Sequence, residues 1–176
     1  KSNNLVYVPT VISLAKYTEI KSSATPEVIQ IVWIGSPSTS KYLILIKDVL
    51  EKLAQKYALV FNVIGGQFDS EKVKVNLIKW ESTTEIAQLL SSDIGIMPLE
   101  DTVWEKGKCG FKLIQYMACG LPVVASPSPA NFEIIEQGIS GYIAQTDSDW
   151  HDFLEMLIVD PNRRTSLGLA GRKKVE

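Results

Sequence analysis

Two lysines bracket a glycine-opened helix start in the run Trp104-Glu-Lys-Gly-Lys-Cys-Gly-Phe-Lys-Leu-Ile-Gln-Tyr-Met-Ala-Cys-Gly-Leu-Pro-Val-Val-Ala-Ser126. The residues with chemical potential here are Lys108, Gly110, Phe111, Lys112 and Gln115. The first backbone N–H groups of a helix have no partner within it and carry partial positive charge. A helix start at Gly110 and Phe111, with Lys108 and Lys112 beside it, therefore suits an anion such as a diphosphate. Gln115 stands one turn beyond Lys112, placed to hydrogen-bond a ribose hydroxyl or to face solvent. A second group has the same character. Gly35-Ser36 lets backbone amides approach a phosphate, and Lys41 follows in the first turn of the next helix. Two such ends meeting across a sheet would hold a diphosphate between them. Trp80 follows a strand at the same edge, where it either stacks on a nucleobase or packs. Gly65-Gly66 reads first as turn geometry, and Trp104 either closes over a ligand or anchors its loop.

Other chemistries lack their residues. No Gly-x-Gly-x-x-Gly follows the first strand, and there is neither a Gly-x-x-x-x-Gly-Lys-[Ser/Thr] phosphate loop nor a Gly-x-Ser-x-Gly elbow. The single histidine, His151, reads as a solvated helix residue away from the ligand edge. Cys109 and Cys119 flank one helix of roughly two and a half turns, about 15 Å apart, too far for a disulfide. No cysteine–histidine spacing fits zinc. Two unpaired thiols point to a reducing, cytoplasmic compartment. Lysine and arginine number 18 against 20 acidic residues, a net charge of −2, which argues against a general nucleic-acid or polybasic membrane surface. No run of ~18 apolar residues is present to span a membrane, and no signal peptide.

The elements that must position these residues alternate. Strands are expected at Leu5–Val8, Val28–Ile34, Leu59–Ile64, within Val73–Trp80, and at Asp93–Leu99, Leu121–Ala125 and Gly141–Ala144. Helices are expected between them. One follows a cap at Ser38 or Ser40, with Leu43, Ile46, Leu50, Leu53 and Tyr57 on its stripe. A second follows a capping box at Ser82-Thr-Thr-Glu85. A third has Phe111, Ile114, Met117 and Ala118 on one stripe and stops at Gly120. Ala130–Gln137 is a short helix; one more begins near 148, and Asp160-Pro161 opens the last. Strand–helix alternation specifies an α/β fold, a Rossmann-like doubly wound parallel sheet, with ligands beyond the carboxyl ends of its strands. Residues 27–176 form that domain. Residues 1–26 read as a connector and a first short strand from a preceding lobe, with further chain expected at the C-terminal end too.

With these stretches in place, the chain resembles the C-terminal, donor-binding lobe of a GT-B fold glycosyltransferase of the group called family 4. Ile31-Val-Trp-Ile-Gly-Ser-Pro-Ser-Thr-Ser-Lys41 is similar to the first strand and phosphate loop of that lobe, and Asp93–Leu99 to its central strand. Gly110–Ser126 is similar to the donor-site helix and the strand after it. Glu133–Gly141 and Asp160-Pro-Asn-Arg-Arg match its later pattern. The resemblance implies a retaining transfer of a sugar from a nucleotide-diphosphate donor, UDP- or GDP-linked, without metal or other cofactor. It implies donor-diphosphate contacts from Gly35, Ser36, Lys41, Lys108, Gly110, Phe111 and Lys112, and ribose or base contacts from Gln115 and Trp80. The acceptor and any catalytic base would lie on the chain's own N-terminal lobe, through which the protein would reach the inner membrane face; this lobe alone would be inactive.

The sequence departs from that family's pattern at informative positions. Members commonly carry a pair of glutamates on this segment, the second on the helix; Gly107 and Gln115 stand there. Ser36-Pro37 replaces the usual arginine after the first-strand glycine. Glu105 is the nearest replacement for the first glutamate, and Lys112 for the lost positive charge. A nucleotide-sugar 2-epimerase or phosphorylase on the same fold, or a non-catalytic nucleotide-binding or regulatory module, stay open as alternatives.

Overall fold

The computed structural model describes residues 10–21 and 26–176. The strand expected at Leu5–Val8 lies outside them. Among the described residues six strands form one sheet: β1 (Ile29–Ile34), β2 (Leu59–Ile64), β3 (Lys74–Ile78), β4 (Ile94–Met97), β5 (Val123–Ala125) and β6 (Tyr142–Ile143). Their order is β3-β2-β1-β4-β5-β6, and every pairing is parallel. The inner strands are apolar on both faces, as a sheet covered from two sides requires. One cluster beneath the sheet gathers Ile31, Trp33, Leu43, Leu50, Phe61 and Leu154. The other gathers Val32, Ile64, Leu89, Tyr116, Met117 and Val123. This is the Rossmann-like architecture that the alternation specified.

The helices are α1 (Lys47–Lys56), α2 (Glu85–Leu90), α3 (Val103–Lys106), α4 (Phe111–Ala118), α5 (Pro129–Ile134), α6 (Asp147–Val159) and α7 (Pro161–Val175). Several ends follow from local chemistry. Thr146 and Asp149 make a reciprocal capping box on α6, and Asp160 caps α7 ahead of Pro161. Gly120 ends α4 at φ 72°, where only glycine sits without strain.

Four local expectations need correction. The chain from Ser40 to Ile46 winds as a 3-10 helix before α1 begins, and neither Ser38 nor Ser40 caps it; Ser40 Oγ donates to the Pro37 carbonyl instead. The capping box at Ser82–Glu85 does not form: the helix starts at Glu85 itself, so Thr84 is the cap residue, without a side-chain bond, and Glu85 holds the first helical position rather than the third. The segment after β4 is not all loop, since α3 interrupts it. Phe111 leaves the apolar stripe of α4 and is 41% exposed, while Leu113 and Tyr116 take the buried positions.

In this strand order the direction of winding reverses between β1 and β4, the topological switch point where a crevice opens in such sheets. The two strands pair only at Ile31–Ile94 and Val32–Gly95. Beyond that the Tyr116 hydroxyl, fully buried, bridges them: it accepts from the Ile34 N–H at 3.0 Å and donates to the Ile96 carbonyl at 3.3 Å. Gly95 makes the room, because a Cβ there would stand 2.6 Å from the Tyr116 ring. Helix α4 is thus wedged into the switch point, and its N-terminus faces the loop after β1.

Candidate functional site

A cleft of about 420 Å³ opens at the carboxyl edge of the sheet. Gly35, Ser36 and Pro37 form one wall; Phe111, Lys112 and Gln115 of α4 form the other; Trp80 and Glu85 close the end beyond β3. Six residues singled out from sequence therefore share one cavity: Gly35, Ser36, Trp80, Phe111, Lys112 and Gln115.

The loop after β1 is held by its own side chains. Thr39 Oγ1 accepts from the Ser36 N–H at 3.2 Å and donates to the Ser36 carbonyl at 3.0 Å. Gly35 is required because the Trp33 ring packs directly under the turn, 2.4 Å from where a Cβ would be. The same ring lies 2.4 Å from the Cβ position of Gly66. Trp33 thus floors both glycine turns, which gives Gly65-Gly66 a packing reason as well as a turn reason.

Lys112 lies half-buried, with Nζ 4.7 Å from the centre of the Trp33 ring. Burial, and next to it the charge of Lys108, push its pKa down to about 8. An ammonium held this way is incompletely solvated, which raises its gain from meeting an anion. Lys41 and Lys108 do not line the cleft. Their Nζ atoms sit 5.0 and 4.3 Å from the Tyr42 ring centre, beside it. Burial lowers the Lys108 pKa as well, with Glu105 opposing. The three lysines and the α4 N-terminus make one cationic region, graded from exposed Lys41 to half-buried Lys112.

Glu105 is buried and spent on structure. Its carboxylate accepts from the hydroxyls of Tyr42 and Thr102, which hold its pKa below the usual carboxylate range. Burial and that same neighbour push Tyr42 up to about 12. Glu105 therefore braces the aromatic ring between the lysines rather than reaching into the cleft. Gly110, at φ 67°, opens α4, and a Cβ there would meet Ile134 Cδ1 at 2.4 Å.

Gln115 is buried at 6% exposure, not a surface residue, and its Nε2 donates to Glu85 Oε1 at 2.6 Å. Trp80 is 48% exposed, and its Nε1 donates to Glu85 Oε2 at 2.5 Å, so the indole is a presented face rather than core. Glu85 is the residue that sequence reasoning missed. Trp104 projects into solvent at 80% exposure. Glu133 lines a separate cavity with Cys109 and Ile114. His151 lies on α6 and pairs with Asp152. Cys109 and Cys119 are both free, one exposed and one buried. Among the described residues no three His, Cys, Asp or Glu side chains gather to hold a metal, and no helix is long and apolar enough to cross a membrane.

A six-stranded parallel sheet in this order, with a cationic cleft at its switch point, defines a Rossmann-like α/β domain. Residues 29–159 match the family model "Glycosyl transferases group 1", and the chain belongs to that family. It is 29% identical over 129 residues to the human alpha-1,3/1,6-mannosyltransferase ALG2, covering 72% of this chain and 27% of that protein. The chain thus spans about a quarter of that relative's length. Its fold is similar to that of WaaG, a glycosyltransferase involved in lipopolysaccharide biosynthesis (TM-score 0.71, 13% identity, 95% of this chain and 50% of that one). It is also similar to Anabaena HepE, solved in complex with UDP and glucose (TM-score 0.64, 16% identity, 87% and 44%).

Proposed function

We propose that this chain is the donor-binding lobe of a retaining glycosyltransferase that takes its sugar from a nucleotide diphosphate. The observation that carries this reading is the position of Lys112, half-buried over Trp33 and facing the Gly35-Ser36 turn at the mouth of the switch-point crevice. A diphosphate seated there meets the first amides of α4, the loop amides and a poorly solvated ammonium. Together these neutralise the leaving group in place of a metal ion. Lys41 and Lys108 add long-range attraction from beside Tyr42. The nucleoside end then lies toward Trp80 and Gln115. HepE, similar in fold, was solved with UDP, which is consistent with a nucleotide in a cleft of this kind.

The acceptor and any catalytic base belong, in this reading, to an N-terminal lobe, and the 176-residue chain alone transfers no sugar. A non-catalytic nucleotide-binding module is the second reading, favoured by Gly107 and Gln115 where the family's glutamates would stand. Ligand-observed NMR with UDP, GDP and ADP tests the site. Lys112→Ala is expected to weaken the preferred nucleotide by roughly tenfold or more, the scale of a lost charge-assisted bond. Lys41→Ala is expected to cost less, since that ammonium is exposed and outside the cleft. Equal binding by wild type and Lys112→Ala would overturn the placement of the diphosphate. Sugar transfer by the full-length protein, with the donor's anomeric configuration kept in the product, separates the enzyme from the module.

A further inference from the structure

The cleft has a second pole that the diphosphate reading leaves unused. Among its lining residues Glu85 is the only carboxylate, and it stands beside the indole of Trp80, bonded to Gln115 one turn along α4 from Lys112. Local sequence offered Glu85 a simple role, the return bond of a capping box. The helix forgoes it: Thr84 makes no side-chain cap bond, and Glu85 reaches across to α4.

Its two oxygens are held separately. Oε1 accepts from Gln115 Nε2 at 2.6 Å and Oε2 from Trp80 Nε1 at 2.5 Å. A carboxylate has about four acceptor sites, two on each oxygen. One donor on each oxygen fixes the plane of the group and leaves one site on each open. The result is a pair of adjacent acceptors, oriented by its neighbours and set beside a flat apolar face. The complementary ligand chemistry is two adjacent O–H donors next to a planar ring, with an anion toward Lys112.

We infer that Glu85, held by Gln115 and Trp80, binds the vicinal hydroxyls of the donor's ribose and makes the site selective for ribonucleotides. This rests on the nucleotide reading of the cleft. It places on α2 the carboxylate that α4 lacks, with Gln115 as a positioning residue behind it. The indole of Trp80, which meets Glu85 through its N–H edge, keeps its ring half exposed and available to the base.

The test measures dissociation constants for UDP, GDP and ADP, for the 2′-deoxy form of whichever binds tightest, and for inorganic pyrophosphate. Wild type and Glu85→Gln are compared, with thermal melting to confirm that the variant folds. Wild type is expected to prefer the ribonucleotide by roughly tenfold, the scale of a hydrogen bond to a charged acceptor. Glu85→Gln is expected to lose most of that preference while keeping its affinity for pyrophosphate, which reports the cationic end alone. A conservative Glu85→Asp, too short to reach both neighbours, is expected to fall between the two. If wild type binds nucleotides without discriminating ribose from deoxyribose, or if Glu85→Gln keeps the ratio, the Glu85 assignment falls and the nucleotide reading stands. If wild type binds pyrophosphate but no nucleotide, or binds nothing, the nucleotide reading falls and the assignment falls with it.

Discussion

Lys112 carries two opposite pH dependences, and their signs follow from one fact. Burial and Lys108 hold its folded pKa down to about 8, against an unfolded value of about 10.4. Between those values the unfolded chain binds more protons than the folded one. The stability of the free protein is therefore expected to rise as pH increases from about 8 toward 10 through this group. In the proposed site, diphosphate binding needs the charged form, so affinity is expected to fall over the same rise, by roughly tenfold at most per unit of pH. Lys112→Met keeps the aliphatic contact with Trp33 and removes the charge. It should flatten both profiles, read by urea denaturation for stability and by calorimetric titration of UDP for affinity. Parallel movement of the two wild-type profiles, both rising or both falling with pH, would exclude Lys112 as the group responsible. The exposed Lys41 is expected to contribute a salt-dependent attraction instead, fading as ionic strength rises.

At the scale of elements, α4 does more than present Lys112. Its Tyr116 hydroxyl stitches β1 to β4 just where their pairing ends. Tyr116→Phe leaves a buried N–H and a buried carbonyl without that partner. A loss of about 1–3 kcal/mol is expected in urea denaturation, with weaker nucleotide binding because the crevice walls lose their tie. The sequence showed the outline of this element clearly. Gly110, Gly120, the lysines and the β-branched run after them mark loop, helix and strand through local chemistry alone. What it hid were partners far along the chain. Gly95 reads as an ordinary strand residue until Tyr116 is seen to fill the space above it. Glu85 fits a capping box by spacing, and its true partner lies 30 residues away on α4. Lys41 and Lys108 looked like direct ligands of an anion. The 3-10 winding from Ser40 to Ile46 and the bracing of Tyr42 by Glu105 set them beside the cleft instead.

The whole molecule is closed by α7, which follows α6 and lies against α4. Arg172 Nη1 donates to the carbonyls of Tyr17 and Ala118, at 2.8 and 2.6 Å, so one guanidinium ties the N-terminal segment and the end of α4 to the last helix. Lys21 adds to this tie, with its N–H on the Cys119 carbonyl at 2.8 Å and its ammonium on buried Asp93 at 3.0 Å. The close approach depends on Gly168, where a Cβ would stand 2.0 Å from the Gly120 carbonyl oxygen. Two effects compete at that position. Replacing a mid-helix glycine by alanine ordinarily gains about 1 kcal/mol of helix propensity. Overpacking costs about 1–3 kcal/mol, and with backbone on both sides of the contact the upper end applies. Gly168→Ala is therefore expected to destabilise the chain by about 2 kcal/mol net in urea denaturation. Gly168 lies on α7, which contributes no residue to the cleft, so below the melting transition the variant should bind UDP as wild type does. Lost affinity in a folded Gly168→Ala variant would mean that the seating of α7 sets the position of α4, and that the α4–α7 contact transmits to the cleft rather than only closing the fold.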